Sequence, residues 1–558
     1  SHLKQKGIQA AAIYSGQARS EIIKILENAI FGAVKLLYVS PERLASDIFL
    51  VKLKHMKVSF ITVDEAHCIS QWGYDFRPSY LQIAEIRRVK PDAPVLALTA
   101  TATRRVMDDI MERLQFREKK VFRMSFKRDN LAYVVREALD KYAELLHILK
   151  SVEGSAIIYT RSRRRSKVVS EWLEQQGVSA TFYHAGLEPA IKDERQKLWQ
   201  TDKKRVMAAT NAFGMGIDKP NVRLVIHLDC PDSVEAYFQE AGRAGRDGKK
   251  AYAILLWNGH DHAVLAKRIK TTFPSKEIVR DVYDHLAYFF QVGLGSGNGH
   301  TFTFNIDQFC YIYHFYPLYV NSALHILQSA GYIEYETDPD ARARLRFLLG
   351  RDELYKLYET TPNEEAVISA LLRNYSGLFS DYRYVEEALI SQVSGLSQNE
   401  VYLILKSLSH RRILHFIPQR KTPFITYTQD RIDGCDVVIP ASVYDQRKEQ
   451  FIKHVNAIEA YATNNHVCRS RQLLRYFDET KSEDCGICDV CVDHQPNPNA
   501  EQEFKDAKQA ILDLLADHKP HDIKETSELL LPRKAFKEAL KYLCNEELVH
   551  IDGLMIYR

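Results

Sequence analysis

No run of about eighteen apolar residues occurs anywhere in the 558-residue chain, which excludes a membrane-spanning helix. The opening Ser1-His2-Leu3-Lys4-Gln5-Lys6 has no apolar core and no cleavage site, so nothing in it points to secretion. An excess of one charge is also lacking. Against 76 Lys and Arg stand 72 Asp and Glu, and the net +4 is too mild to imply nucleic acid by itself. The nine cysteines are mostly scattered singly, as in a protein kept reduced, and the expectation is a cytoplasmic location, nucleoid-associated if the source is bacterial. A phosphate loop of the form Gly-x-x-x-x-Gly-Lys-Ser/Thr appears nowhere, so the lysine and backbone cradle it would supply are not among these residues. Hydrophobic content of 46% and charged content of 27% are ordinary for a globular chain, and the length divides into roughly four or five domains.

What is present concentrates between residues 59 and 78. Ser59-Phe60-Ile61-Thr62-Val63 reads as a buried strand, and at its C-terminal edge, where open α/β sheets bind ligands, stand Asp64, Glu65 and His67. Adjacent carboxylates suit metal-assisted phosphoryl chemistry, one holding Mg²⁺ and the other orienting a water. Trp72, Tyr74 and Phe76 follow, interleaved with Arg77, and exposed aromatics beside a cation are what stacking on unpaired bases requires. A second basic run, Arg161, Arg163, Arg164, Arg165 and Lys167, directly follows a strand end; it reads as a solvated face or as a track for phosphates.

Four cysteines break the scatter. Cys468 precedes Cys485-Gly486-Ile487-Cys488-Asp489-Val490-Cys491, and Cys-x-x-Cys spacing with distant further ligands closes a tetrahedral Zn²⁺ site with no position open to water, hence structural.

Further motifs stand in order along the chain: Leu98-Thr99-Ala100-Thr101-Ala102-Thr103, Ala156-Ile157-Ile158-Tyr159-Thr160, Ala209-Thr210-Asn211-Ala212-Phe213-Gly214-Met215-Gly216-Ile217-Asp218, and Gln239-Glu240-Ala241-Gly242-Arg243-Ala244-Gly245-Arg246. With the Asp64-Glu65 stretch they resemble motifs II to VI of superfamily 2 helicases. Trp72 to Pro78 resembles the aromatic-rich loop of the RecQ family, and Arg469 with Leu473-Leu474-Arg475-Tyr476-Phe477 resembles that family's zinc module. The likeness covers about residues 1–265 and 441–492. It implies an α/β fold of two RecA-like parallel-sheet lobes followed by winged-helix-like modules and a helical zinc-binding module. The first lobe is expected over 1–127, incomplete because the phosphate loop would lie upstream of Ile13-Tyr14-Ser15-Gly16-Gln17, and the second over 128–265. The activity implied is that of an ATP-dependent DNA helicase moving 3′ to 5′ in recombination or repair. The alternative is a DNA-binding scaffold without catalysis, since this chain has no phosphate loop; an RNA helicase fits neither the aromatic loop nor the zinc module.

The roles implied follow the motifs. Asp64 binds Mg²⁺ through water, Glu65 orients the hydrolytic water, and His67 relays between cleft and loop or is a structural histidine. Gln239, Arg243 and Arg246, at i, i+4 and i+7, are expected on one helical face, with Arg246 ahead of Arg243 as the finger on the γ-phosphate; Gly242 and Gly245 weaken a helix unless close approach needs them. Gly216 and Asp218 join the arginines at the nucleotide. Trp72, Phe76, Arg77, Thr99, Thr101, Thr160, Arg161, His184 and Thr210 serve DNA contact or coupling. The ligands implied are ATP, Mg²⁺, Zn²⁺ and DNA, both single-stranded and at duplex junctions. A single-stranded-DNA-binding protein or other repair proteins are partners the resemblance allows.

Between Arg246 and Cys468 two units share a rhythm. Val320, Ala323, Leu324 and Leu327 at helical spacing precede Gly331 and Tyr332-Ile333-Glu334-Tyr335, giving a winged-helix-like module over 266–350. Ser397 and Glu400 form a capping box before Val401, Ile404, Leu405 and Leu408, then Ile413-Leu414-His415-Phe416 and a hairpin partner Phe424-Ile425-Thr426-Tyr427, giving a second over 351–440. The zinc module is expected over 441–495. A third winged-helix-like unit over 500–558 has Phe536, Ala539, Leu540 and Leu543, then strands on either side of Asp552-Gly553. For each unit, DNA contact and packing against neighbours stay open.

Overall fold

The computed structural model describes the chain except residues 1–2, 4–5, 15–16, 18, 45, 71, 74, 215–216, 337–342, 355–359, 376, 380–381, 419–422, 496–497, 523–532 and 553–554. The chain forms two compact units, one of residues 1–29, 33–40 and 269–448, the other of 30–32, 41–268 and 449–558.

The second unit is built on six parallel strands in the order Leu131–Glu137, Ala251–Trp257, Val222–His227, Ser155–Tyr159, Val206–Ala209, Ala180–Tyr183. Ser155–Tyr159 and Val206–Ala209 are buried throughout, as continuous apolar runs are when helices cover both faces of a parallel sheet. The helices start where small polar residues take orphan amides: Asp140 accepts from the N–H of Tyr142 and Ala143, Ser162 from Arg165, and Ser233 from Ala236.

The single sheet expected over 1–127 is found as two parallel pairs, Ala10–Ile13 with Leu36–Val39 in the first unit, and Ile61–Val63 with Val95–Ala97 in the second. The buried strand expected at 59–63 is correspondingly shallow. Only Val63 is buried, Phe60 and Thr62 are exposed, and no described strand pairs with Ile61–Val63 besides Val95–Ala97.

The first unit carries two winged-helix modules. In one, helices Lys276–Phe290, Ile306–Tyr313 and Pro317–Ser329 pack on the sheet Thr301–Thr303, Phe424–Tyr427, Ile333–Glu336, with Val320, Ala323, Leu324 and Leu327 all buried at the spacing read from sequence. In the other, helices Pro362–Asn374, Glu387–Ser394 and Gln398–His410 pack on Arg383–Tyr384, Arg344–Phe347 and Leu414–Ile417, and the Ser397–Glu400 capping box is formed. The hairpin expected between Leu414–Phe416 and Phe424–Tyr427 is corrected here. Leu414–Ile417 pairs with Arg344–Phe347, whereas Phe424–Tyr427 pairs with Ile333–Glu336, Glu336 lying opposite Phe424. The second module is thus inserted into the wing hairpin of the first, and a division at 350/351 cuts across this pairing. Its reason is apolar patterning: Ile425 and Tyr427 fill the first module's core, and Leu414 and Phe416 fill the second's.

The third module packs Ala500–Leu514 and Arg533–Asn545 on strands His521–Asp522, Met555–Tyr557 and His550–Asp552. Strand His521–Asp522 adds an edge that sequence reading did not anticipate, while Gly553 of the expected turn lies outside the described residues.

Candidate functional site

Strand Ile61–Val63 ends at Asp64, and the backbone then turns sharply, with Glu65 at φ 48° and a buried 3₁₀ turn over Ala66–Ile69. A non-glycine residue in the left-handed region at a strand end is a strained position of the kind that accumulates at functional sites. The loop after it closes on itself, the N–H of Arg77 donating to the carbonyl of Cys68 at 2.9 Å. Gly73 is needed for this closure, because a Cβ there would come within 2.7 Å of the His67 carbonyl oxygen.

Glu65 looks into a cavity of about 360 Å³ whose other walls are Tyr159, Thr160 and Arg161, then Gln239 and Arg243, and finally Phe451 and His454. Gln239 Nε2 reaches Glu65 Oε1 at 3.5 Å, and His67 Nδ1 lies 3.3 Å from Glu65 Oε2. Burial, then the neighbouring Asp64 charge, raises the Glu65 carboxyl above its ordinary range, with Arg243 pulling the other way. His67 is fully buried, and that burial lowers its pKa, keeping the ring neutral; Nδ1 is also 3.1 Å from Thr99 Oγ1. Asp64 is exposed beside the cavity, one oxygen accepting the Glu65 N–H.

From His67 a chain of contacts runs outward. Cys68 Sγ lies 3.7 Å from His67 Nε2 and 3.8 Å from Asp75 Oδ2, and Asp75 is clamped by Arg77 through two hydrogen bonds of 2.7 and 3.1 Å. Burial pushes the Cys68 thiol up to about 12, so it remains a thiol able to donate. Cys68 and Asp75 were missed in the sequence, where nothing marks a buried thiol as a link. Trp72 is half-buried, its ring 3.3 Å beneath the Arg105 guanidinium, and Phe76 is half-buried as well.

The helix expected to carry Gln239, Arg243 and Arg246 on one face does not do so. It spans Val234–Ala241 and stops at Gly242. Gly245 takes φ +63°, and a Cβ there would lie 2.6 Å from Asn130 Nδ2 and 2.9 Å from Ala251 Cβ, so the chain leaves the helix at a point of close approach. Arg243 is buried and donates to the Gly214 carbonyl at the cavity, whereas Arg246 lies outside that lining, donating to the Ile217 carbonyl at 2.7 Å and pairing with Asp218 at 3.4 Å. Gly216 lies outside the described residues.

The remaining expected residues are spread along strand ends. Thr101, Thr160 and Thr210 are buried, and the hydroxyls of Thr101 and Thr160 have no hydrogen-bond partner among the described residues. Arg161 is tied to Asp232 and to the Cys230 carbonyl. His184 stacks on Phe182 away from the cavity, and burial followed by Arg163 lowers its pKa.

His454, at the back of the cavity, was also missed. Its Nδ1 lies 3.3 Å from Glu235, on the helix that carries Gln239, and Tyr476 donates to the same carboxylate at 2.8 Å. Burial opposes ionisation of Glu235, but hydrogen bonds from His454 and Tyr476 outweigh it and hold the carboxyl low.

The four cysteines converge as expected. The Sγ atoms of Cys468, Cys485, Cys488 and Cys491 all lie within 4.8 Å of one another, near the roughly 3.8 Å edge of a tetrahedral Zn–S₄ site. Backbone N–H groups already aim at sulfur, Cys485 on Cys468 at 3.2 Å and Cys491 on Cys488 at 3.4 Å. The donor set fits a structural zinc, as its chemistry requires. Arg469 braces it from below, buried and bonded to Asp489, to the carbonyls of Tyr461 and Asn464, and to Asn465.

A carboxylate pair at a parallel strand's end, faced by glutamine and arginine, suits the metal-assisted phosphoryl transfer that drives a helicase. Family models of that kind match in sequence order, a DEAD/DEAH box helicase model over residues 1–110 and a helicase conserved C-terminal domain over 139–248. Two further matches are narrower, RecQ zinc-binding over 428–492 and the RecQ helicase winged-helix domain of Bacteroidota over 345–418. The chain belongs to the RecQ family of helicases. It is 42% identical over 279 residues to the ATP-dependent DNA helicase RecQ of Pasteurella multocida, covering 50% of this chain and 44% of that one. It is 42% identical over 262 residues to the Bacillus subtilis protein of the same name, with 46% and 44% covered, and 39% identical over 285 to the probable helicase RecS of that organism, with 50% and 57% covered. The matched stretch thus spans about half the length of these relatives. Among solved structures, Saccharomyces cerevisiae Dbp5 bound to RNA and ADP BeF₃ matches at 18% identity and TM-score 0.37 over 47% of this chain and 67% of that one, a likeness too remote to bear on activity.

Proposed function

We propose that these residues form the motor of an ATP-dependent DNA helicase, working 3′ to 5′ in recombination or repair and acting on single strands and duplex junctions in the cytoplasm. The observation that carries this reading is the meeting of Glu65, Gln239 and Arg243 around one cavity. ATP is the substrate, and Mg²⁺, when bound, offsets phosphate charge; Asp64, exposed beside Glu65, would hold it through water. Glu65 accepts a proton from, or orients, the attacking water, and its raised pKa keeps it a better base than an ordinary carboxylate. Arg243 is favoured over Arg246 as the cation facing the γ-phosphate, because it lines the cavity and Arg246 does not. Trp72, Phe76 and Arg77 meet unpaired bases, and the Arg77–Asp75–Cys68–His67 contacts supply a route from that loop to Glu65. No Gly-x-x-x-x-Gly-Lys-Ser/Thr occurs in the sequence, so the 558 residues alone turn over ATP negligibly.

The test is DNA-stimulated ATP hydrolysis by a protein joining these residues to such a loop. Glu65→Gln should lower kcat by about 10² to 10⁴ while leaving ATP binding intact. Undiminished turnover in that variant would refute the role, and robust hydrolysis by the 558 residues alone would refute the need for the loop.

A further inference from the structure

The nested winged-helix module carries a cluster that the cleft chemistry leaves unused. Along strand Arg344–Phe347, Leu345 and Phe347 turn into the core, so Arg344 and Arg346 face the other way. Their guanidinium carbons lie 5.7 and 5.3 Å from the ring of Tyr382. The Tyr382 hydroxyl is hydrogen-bonded to Nδ1 of His415, which stands directly opposite Arg346 on the paired strand Leu414–Ile417.

Among the described residues, the charge at this cluster is only partly answered. Arg344 pairs with Glu336 at 2.6 Å, but Arg346 makes no ion pair among the described residues, and its Nε is buried with no hydrogen-bond partner there. Elsewhere in the module a cation of structural use does have its carboxylate, Arg411 lying 3.1 Å from Glu364. Burial above all, and then the charges of His300, Arg346 and Arg344, hold His415 down at about 4.

We propose that Arg344, Arg346 and Tyr382 form a nucleic-acid site, the two guanidinium groups taking phosphate oxygens of the backbone and the ring lying against a base or sugar. Planar guanidinium forks match phosphate oxygens two at a time, and an aromatic ring beside them adds a stacking surface that an acidic peptide would not use. The site shares no residue with the cleft lining, and it stands or falls without any claim about hydrolysis.

The experiment uses the full chain and a fluorescein-labelled oligonucleotide, single-stranded and duplex, followed by anisotropy over a series of KCl concentrations. Replacing both Arg344→Ala and Arg346→Ala should weaken binding at least fivefold and flatten log Kd against log salt by roughly 1.5 to 2, one phosphate per guanidinium. The paired Arg344→Lys and Arg346→Lys variant should keep the salt slope while losing affinity. A photoreactive residue at position 382 should crosslink to the oligonucleotide. An unchanged slope in the alanine pair, with no crosslink, overturns the proposal. So does displacement of DNA by polyglutamate of equal charge at equal concentration, which would mark an acidic protein surface as the partner. A chain that binds no DNA at all refutes both this site and the helicase reading, whereas an unchanged slope with normal DNA binding refutes this site alone. Should the alanine pair melt lower, the lysine pair and the crosslink decide.

Discussion

Arg469 offers the sharpest test of how the zinc module is held. Its guanidinium is 1% exposed and donates to both Asp489 oxygens at 3.0 to 3.1 Å, to the Tyr461 carbonyl at 2.6 Å and to the Asn464 carbonyl at 2.8 Å. Arg469→Met keeps much of the side-chain volume and removes every one of these bonds. Asp489 would keep the N–H of Val135 at 3.1 Å, but its charge and the Tyr461 carbonyl would lose their buried partner. Breaking one side of such a buried pair costs about 3 to 5 kcal/mol. Arg469 follows Cys468 directly, and Asp489 follows Cys488, so the cost falls on the segments that carry two of the four sulfurs. If zinc escapes through local opening, about 3 kcal/mol makes opening roughly a hundredfold more frequent. The assay is the rate at which a colorimetric chelator takes zinc from folded protein at fixed temperature. Release should be about a hundred times faster in Arg469→Met, and the double variant with Asp489→Asn should be slower than the sum of the two singles implies, since the pair is then removed together. A release rate within about twofold of the unaltered protein would refute the bracing role.

Trp72→Ala should lower stability by about 1 to 3 kcal/mol in chemical denaturation, the value for a half-buried ring with a stacked guanidinium, and Trp72→Phe should retain most of it; a loss above about 4 kcal/mol would mean a full core position. Gly245→Ala should destabilise by about 1 to 3 kcal/mol, since φ +63° and the Asn130 and Ala251 contacts both oppose a Cβ; a neutral change would show that the turn is compliant. The depressed His415 pKa means that the unfolded chain takes the proton first, so stability should fall as pH drops from about 6.5 to about 4 and level off below. The loss is at most about 3 kcal/mol and smaller after solvent screening, and His415→Gln should flatten that stretch of the pH profile.

The second parallel sheet was legible as a lobe because its central strands Ser155–Tyr159 and Val206–Ala209 are unbroken apolar runs. Edge strand Leu131–Glu137 was not, since it blends into the polar segment after Arg128. The zinc ligands were legible for a different reason: three of them share seven residues, so spacing alone brings them together. Reading failed where a local rule met a distant partner. The nearest strand to Leu414–Ile417 in sequence looked like its hairpin mate, but the mate is Arg344–Phe347, some seventy residues back. At Arg243 and Arg246 the i, i+4, i+7 count assumed a helix that Gly242 and Gly245 end. The Cys68–Asp75 link and the His454–Glu235 pair depend on which side chains are buried together, which no spacing encodes.

The insertion of one winged helix into the wing of another sets an order of events during synthesis. Strand Ile333–Glu336 emerges from the ribosome without its partner Phe424–Tyr427, and everything needed for the nested core, 343–416, is made in between. At about 5 to 20 residues per second the wait is roughly four to eighteen seconds, long enough for a small domain to fold. The inner module can therefore close first and hand over two chain ends already side by side. Against a short turn, the longer loop adds about four doublings of length, some 2 to 3 kcal/mol of closure entropy for a flexible chain. A folded insert removes most of that cost, so the inner domain acts as a template for the sheet that surrounds it. Variants that unfold the inner core should leave the outer edge strand open to pairing with another chain, and their first symptom should be aggregation of the nascent protein.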